Sequence, residues 1–230
     1  MQRVKKMEIA QIILSIITAI TAIVAIFMTR AEIKAQNNQC LFEKRLANYI
    51  ACRKLLNLTS ENLELLKFEN PKDEPLEVTT AFSMITNCGF LEKGAQIIYN
   101  TNDYEIKKIF LKNIESIETM AEKSKLLFSD ETGEKMKAYL ISFKDVLMAM
   151  YKYEVLLQLM LKNNKSTAFR KSFDELAQNY NEHKVRGEVI KSTNSLLEQC
   201  HMVTNDKILE KMYNETKICK STIPHKTEAN

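Results

Sequence analysis

Between Ile9 and Met28 the chain runs for twenty residues without a charge, whereas polar and apolar positions alternate at helical spacing over most of the remainder. A helix rises about 1.5 Å per residue, so this run spans about 30 Å, the thickness of a bilayer hydrocarbon core. The pattern predicts a single transmembrane helix over 9–28, preceded by a basic tail over 1–8. A cleaved signal peptide is the rival reading, but its apolar region is usually about 7–15 residues and ends in a small-x-small site. Here Phe27-Met28-Thr29-Arg30 follows instead, and a retained anchor is expected.

Inside the span, Gln11, Ser15, Thr18, Ala22 and Ala25 recur at steps of four and three, which gathers the small and weakly polar side chains on one face. Such residues let helix backbones approach closely in lipid, and Gln, Ser and Thr can hydrogen-bond to a partner helix. This face is a candidate seam for self-association. The alternative is a chance stripe in a Thr- and Ala-rich span.

Beyond the span, Leu41, Phe42, Arg45, Leu46, Tyr49, Ile50 and Leu56 keep three- and four-residue spacing, predicting a juxtamembrane helix over 29–69 with a break at Asn37-Asn38. Asn70-Pro71-Lys72-Asp73-Glu74-Pro75 cannot continue a helix and reads as a linker over 70–75, where a module boundary is expected. The remainder, 76–220, predicts an antiparallel helical bundle with a polar tail over 221–230. Its helices are expected over about 76–87 and 103–128, then in the segment that follows Gly133, and over about 167–203 and 206–220. A stop is expected near Gly89 and an irregularity near Gly187, and Ile97 to Tyr99 is read as a brief extended or helical piece. Ser129-Asp130-Glu131-Thr132-Gly133 supplies capping oxygens and negative charge for the start of the third of these helices. There Met136, Tyr139, Phe143, Val146, Met150, Tyr153, Leu157 and Met160 form a heptad seam, widened by Leu140, Leu147 and Leu156. Bundle core is the expected role, with an intermolecular coiled coil as the alternative.

Composition agrees: four Gly, three Pro and no Trp leave few turn formers in 230 residues, so the fold class is all-α, an N-terminal transmembrane helix followed by a bundle. The charge is unevenly placed. Residues 1–54 carry nine Lys or Arg against three Glu, or +6, while the rest of the chain is −2. Nucleic acid is therefore not expected as a partner, because the bulk of the chain is slightly acidic and lacks a basic stripe with interleaved aromatics. The lipid bilayer, and a second copy or a protein partner, are the expected ones.

Orientation cues conflict. The basic residues near the span slightly favour an external bulk by the positive-inside rule. Cys40, Cys52, Cys88, Cys200 and Cys219, an odd number without close pairing, read as reduced thiols. The thiols decide the expectation for a single-pass protein of the cell membrane with a cytoplasmic bulk.

Catalytic and cofactor chemistry finds little support. Glu198-Gln-Cys-His201 is a single Glu-x-x-His where a di-iron bundle needs two and further carboxylates. Cys200, His201, Cys219 and His225 lack the paired spacing of structural zinc modules. Gly89 and Gly94 match neither a P-loop nor a dinucleotide fingerprint, and nothing flanks a cysteine in the manner of a known nucleophile. No catalytic, cofactor or metal residue is assigned, and the cysteines read as buried structural thiols.

Phe42, Arg45 and Tyr49 share a helix face at i, i+3 and i+7, a candidate juxtamembrane interaction face in which Arg45 can pair with an acid or lie over a ring. The alternative is that Phe42 and Tyr49 are core. This Phe-x-x-Arg-x-x-x-Tyr helix after an anchor, with Leu127-Phe128-Ser129-Asp130 standing as a later Leu-Phe turn, resembles a set of bacterial single-pass proteins of unknown function. The resemblance covers two short patches and implies no activity. The expected function is a non-enzymatic membrane-tethered scaffold or interaction protein. The alternative is a membrane effector, for example in bacterial defence, whose anchors oligomerise to perturb the bilayer when triggered.

Overall fold

The computed structural model describes the backbone over 2–68, 74–165 and 172–221, and side chains from residue 11 to 217 within those ranges. Eight α-helices and no strand occur among the described residues. They are α1 (Gln2–Glu61), α2 (Val78–Ile85), α3 (Glu92–Ala95), α4 (Tyr104–Leu127), α5 (Asp130–Lys165), α6 (Phe173–Asn179), α7 (Glu182–Asn205) and α8 (Ile208–Ser221). The chain divides into two compact units, residues 45–215 and residues 1–44 with 216–230.

In the smaller unit the expected break at Asn37-Asn38 is absent, because α1 continues through it. Asparagine disfavours a helix interior only by a fraction of a kcal/mol, about 0.7 at most. Gln39 offsets part of that by donating to Glu43 Oε1 at 3.0 Å, one turn on.

The larger unit owes its core to apolar stripes at helical spacing. α4 begins where Asp103 Oδ1 accepts from the Ile106 amide at 3.0 Å, a side-chain N-cap. It then buries Phe110, Ile114, Ile117 and Ala121 on one face and ends as the backbone turns extended at Phe128. α5 packs along both α4 and α7. Seven of its eight heptad-seam residues, Met136, Tyr139, Phe143, Val146, Met150, Tyr153 and Met160, are buried, and Leu157 is partly buried. The seam is thus core of this chain, not a free coiled-coil face, with each fully buried large side chain contributing about 1.5–3 kcal/mol. Phe82 of α2, Phe110 of α4 and Tyr151 of α5 extend the core as a row of tilted rings 6.0 and 5.2 Å apart.

A module boundary was expected at 70–75, yet Cys52, Leu55, Leu56 and Leu66 belong to the same core as α2, α4, α5 and α7. Packing divides the chain at Lys44 and Arg45 instead. The physical reason is that the apolar face of α1 after Arg45 is buried in that common core. Asn70 to Asp73 of the expected linker lie outside the described residues, while Glu74 and Pro75 are non-helical.

The helix expected over 167–203 is two helices. The chain breaks at Asn181, whose left-handed backbone (φ 54°, ψ 38°) separates α6 from α7. Asparagine tolerates that conformation better than most residues. Gly187, where irregularity was expected, sits inside unbroken α7. Residues 167–171 of that expectation lie outside the described residues. Ile97 and Ile98 complete a buried 3-10 turn after α3, and Gly94 lets α3 rest directly on α4. A Cβ there would lie 2.4 Å from Asn113 Nδ2 and 3.0 Å from the Phe110 Cα.

Candidate functional site

The two candidate surfaces named from the sequence are both on α1. In the first, Gln11, Ser15, Thr18, Ala22 and Ala25 are all exposed, and Gln11, Ile12, Ser15, Ile16 and Ala19 line a shallow groove along the helix. The hydroxyls are already committed. Ser15 Oγ donates to the Gln11 carbonyl at 2.9 Å, Thr18 Oγ1 to the Leu14 carbonyl at 2.8 Å, and Thr29 Oγ1 to the Ala25 carbonyl at 2.9 Å. Such back-bonding satisfies the donor inside its own helix and leaves only lone pairs for a neighbour. Among the described residues, the Gln11 carboxamide is the polar group of this face with no hydrogen bond inside the chain. The face therefore offers a partner close backbone approach and one strong donor, fewer hydrogen bonds than the sequence suggests.

The second surface is divided by the packing. Phe42 is half-buried and belongs to the smaller unit. Arg45 and Tyr49 belong to the larger one, where both are tied down. Arg45 Nε donates to the Leu127 carbonyl at 2.5 Å and Nη1 to the Glu215 carbonyl at 3.0 Å, and its guanidinium lies 5.7 Å from the Phe128 ring centre. Leu127 is the last residue of α4, so the guanidinium fills a role that helix ends need filled, since their final carbonyls have no intrahelical donor. Of the partners expected for Arg45, a ring is found, and it belongs to the Leu127-Phe128 turn. Arg45 and the Leu127-Phe128 turn, 82 residues apart in sequence, thus meet in space. Tyr49 stacks obliquely on Tyr213 of α8 at 5.7 Å.

Glu215 completes the knot from the other side. Its carboxylate accepts the Ser129 amide and the Ser129 hydroxyl, both at 2.8 Å, just before the first turn of α5. Negative charge there suits the positive end of the helix dipole. One arginine and one glutamate therefore join α1, the α4–α5 turn and α8. Nothing in the spacing of Arg45, Ser129 and Glu215 marks them as neighbours.

Below the knot the α1–α4 interface is polar at its centre. Buried Asn48 donates through Nδ2 to the Met120 carbonyl at 3.1 Å, and its Oδ1 accepts from Ser124 Oγ at 2.9 Å and Cys52 Sγ at 3.3 Å. Burial pushes the Cys52 thiol up to about 12, against the opposing effect of the Ser124 hydrogen bond. Farther along, Thr59 Oγ1 and the Tyr139 hydroxyl are 2.7 Å apart in the core, and Cys200 Sγ lies 3.6 Å from Ser60 Oγ. Cys40, Cys52, Cys88 and Cys200 are free thiols, and Cys40 alone of these four is exposed.

A second buried cluster has no forerunner in the sequence reading. Glu182, the first residue of α7, is fully buried, and its Oε1 accepts from the Tyr153 hydroxyl at 2.6 Å and from Arg186 Nε at 2.8 Å. Arg186 also donates to the Glu74 carbonyl at 2.8 Å, and Tyr153 Oη accepts from the Leu76 amide at 2.9 Å. Its one sequence signal is the i, i+4 spacing of Glu182 and Arg186. A surface pair would look the same.

Among the described residues no three His, Cys, Asp or Glu side chains converge. Glu198 and His201 are exposed, Cys200 faces the core, and the side chains of Cys219 and His225 lie outside the described residues. No family model, no curated protein and no solved structure matches the chain.

Proposed function

We propose that this chain is a single-pass membrane protein whose segment 9–28 crosses the bilayer and whose helical bundle acts by association, with a second copy or a protein partner, rather than by catalysis. One observation carries the reading. Eleven large apolar side chains from Ile12 to Met28 are each 50–65% exposed, while those of α4, α5 and α7 are largely buried. Burying such a side chain is worth about 1.5–3 kcal/mol, so water is a poor environment for this segment and lipid a good one. The helix is long and apolar enough to cross a membrane, with a mean hydropathy of 2.6 over its best window.

Association is supported by the close-approach face at Gln11, Ser15, Thr18, Ala22 and Ala25. A cytoplasmic bundle is supported by the free thiols Cys40, Cys52, Cys88 and Cys200. The test is oxidative cross-linking in native membranes, in a Cys40→Ser, Cys219→Ser background. Ala22→Cys should give a covalent dimer or a partner adduct, and Ile23→Cys, on another face, should not. A strictly monomeric chain with no co-purifying partner contradicts the association reading.

A further inference from the structure

The outer face of α7 carries an open groove lined by Gly187, Ile190, Lys191, Asn194, Ser195 and Glu198. Gly187, Lys191, Asn194, Glu198 and Met202 recur at steps of four, three, four and four, so on a helix of 3.6 residues per turn they form one stripe. All five are exposed, and Met202 is so although it is apolar. A Cβ built on Gly187 meets nothing within 4 Å, which leaves the floor of the groove open. Among the described residues, neither the Lys191 ammonium nor the Glu198 carboxylate has an ion-pair or hydrogen-bond partner, whereas Lys135 of α5 holds two carboxylates at 2.8 Å.

The order of these groups is self-complementary. Reversing the helix about a point between Asn194 and Ser195 exchanges position 191 with 198 and position 187 with 202. A second α7 laid antiparallel on the first therefore sets Lys191 opposite the partner's Glu198, and Met202 beside the open space at the partner's Gly187. Both contacts occur twice. A parallel pairing instead sets lysine on lysine and glutamate on glutamate, and like charges brought together oppose association. A second copy carries the reversed order by symmetry, since a two-fold contact uses the same patch on both subunits.

We propose that α7 is a self-docking surface: two copies of this chain associate antiparallel along the Gly187–Met202 stripe, with the two-fold axis between Asn194 and Ser195. This contact rests on the association proposed above and deepens it, naming a second copy as the partner and residues 45–215 as the part that meets it. Exposed ion pairs are worth little singly, so the four charges set direction more than tightness.

The test is oxidative cross-linking of the full chain in detergent micelles, in the Cys40→Ser, Cys219→Ser background, with circular dichroism to confirm that each exposed substitution leaves the helices intact. Lys191→Cys chains mixed with Glu198→Cys chains should cross-link to one another, and neither should link to itself. Antiparallel pairing keeps each of these positions about 10 Å along the helix from its own twin, beyond the reach of a disulfide. Asn194→Cys, beside the axis, should link to its twin. Adding Lys191→Glu or Glu198→Lys to it should cut that yield about tenfold, and adding both together should restore it. Self-linking of Lys191→Cys or Glu198→Cys chains as strong as the mixed link, no link at Asn194→Cys, or a double exchange as weak as the single ones overturns the proposal. Links at Ala22→Cys with none on α7 also overturn it while leaving association through the anchor in place; links on α7 with none at Ala22→Cys uphold it and remove the anchor seam.

Discussion

Replacing Gly133 and Gly187 by alanine, one at a time, should move stability in opposite directions. Both glycines lie inside long helices, α5 and α7. Alanine is favoured over glycine in a helix interior by about 0.8–1 kcal/mol, and that gain is common to the two. What differs is the space. A Cβ on Gly187 meets nothing within 4 Å, so the gain is realised in full and the variant should be stabilised by about 0.5–1 kcal/mol. A Cβ on Gly133 would stand 2.7 Å from the Ser124 carbonyl oxygen and 2.9 Å from the Lys125 Cα. These are backbone atoms of α4 and cannot rotate aside. Overpacking of this kind costs about 1–3 kcal/mol, which outweighs the propensity gain and disturbs Ser124, the hydroxyl that reaches Asn48. The expected net effect is a loss of up to about 2 kcal/mol, or up to about 8 °C in melting temperature for a unit of this size. Thermal unfolding of the full chain in mild detergent, followed by near-ultraviolet circular dichroism of the buried tyrosines, measures both variants. Equal shifts of the same sign would refute the reasoning, because propensity alone would then decide and the close α4–α5 crossing would be wrong.

Arg45→Ala should destabilise the larger unit by about 2 kcal/mol, since it removes charge-assisted donors from two backbone carbonyls and a cation from the face of Phe128. Arg45→Lys should recover less than half of that in urea unfolding, because one ammonium cannot copy the guanidinium fork. The Cys52 thiol, ordinarily near 9.0 and raised by burial to about 12, stays protonated in the fold while the unfolded chain ionises. Its contribution is therefore intact below pH 9 and lost as pH climbs from 9 toward 12. Cys52→Ala should flatten the fall in stability over that window, and an unchanged slope would count against burial as the cause.

The parts of this fold that could be read from the chain were those written in local periodicity. α4 and α5 followed from Phe110, Ile114 and Ile117 and from the Met136 to Met160 seam, because a helix face records its burial at three- and four-residue spacing whatever covers it. What covers it is a long-range fact. The seam alone could not choose between this chain's own core and another copy, and the choice came from α4 and α7 lying against it. The split at Asn181 is not legible in the sequence: Gly187, surrounded by good helix formers, stays helical, while the break depends on the left-handed backbone of Asn181 alone. In the candidate surfaces, the position of Arg45 was legible and its partners were not, because Leu127 and Glu215 are 82 and 170 residues away. The buried Glu182 left no signal beyond a helical ion-pair spacing shared with surface pairs. Ser15 and Thr18 were read as donors to a partner, and only the helix geometry reveals that their protons go to carbonyls one turn back.

Alkaline carbonate extraction of membranes tests most directly whether segment 9–28 of α1 holds the protein in a bilayer. The full chain should stay with the pelleted bilayer, and a double variant with Ile16→Lys and Ile20→Lys in the middle of the apolar segment should pass into the supernatant while keeping the helicity of residues 45–215. Release of the unaltered chain by carbonate, or retention of the lysine variant, would contradict the claim.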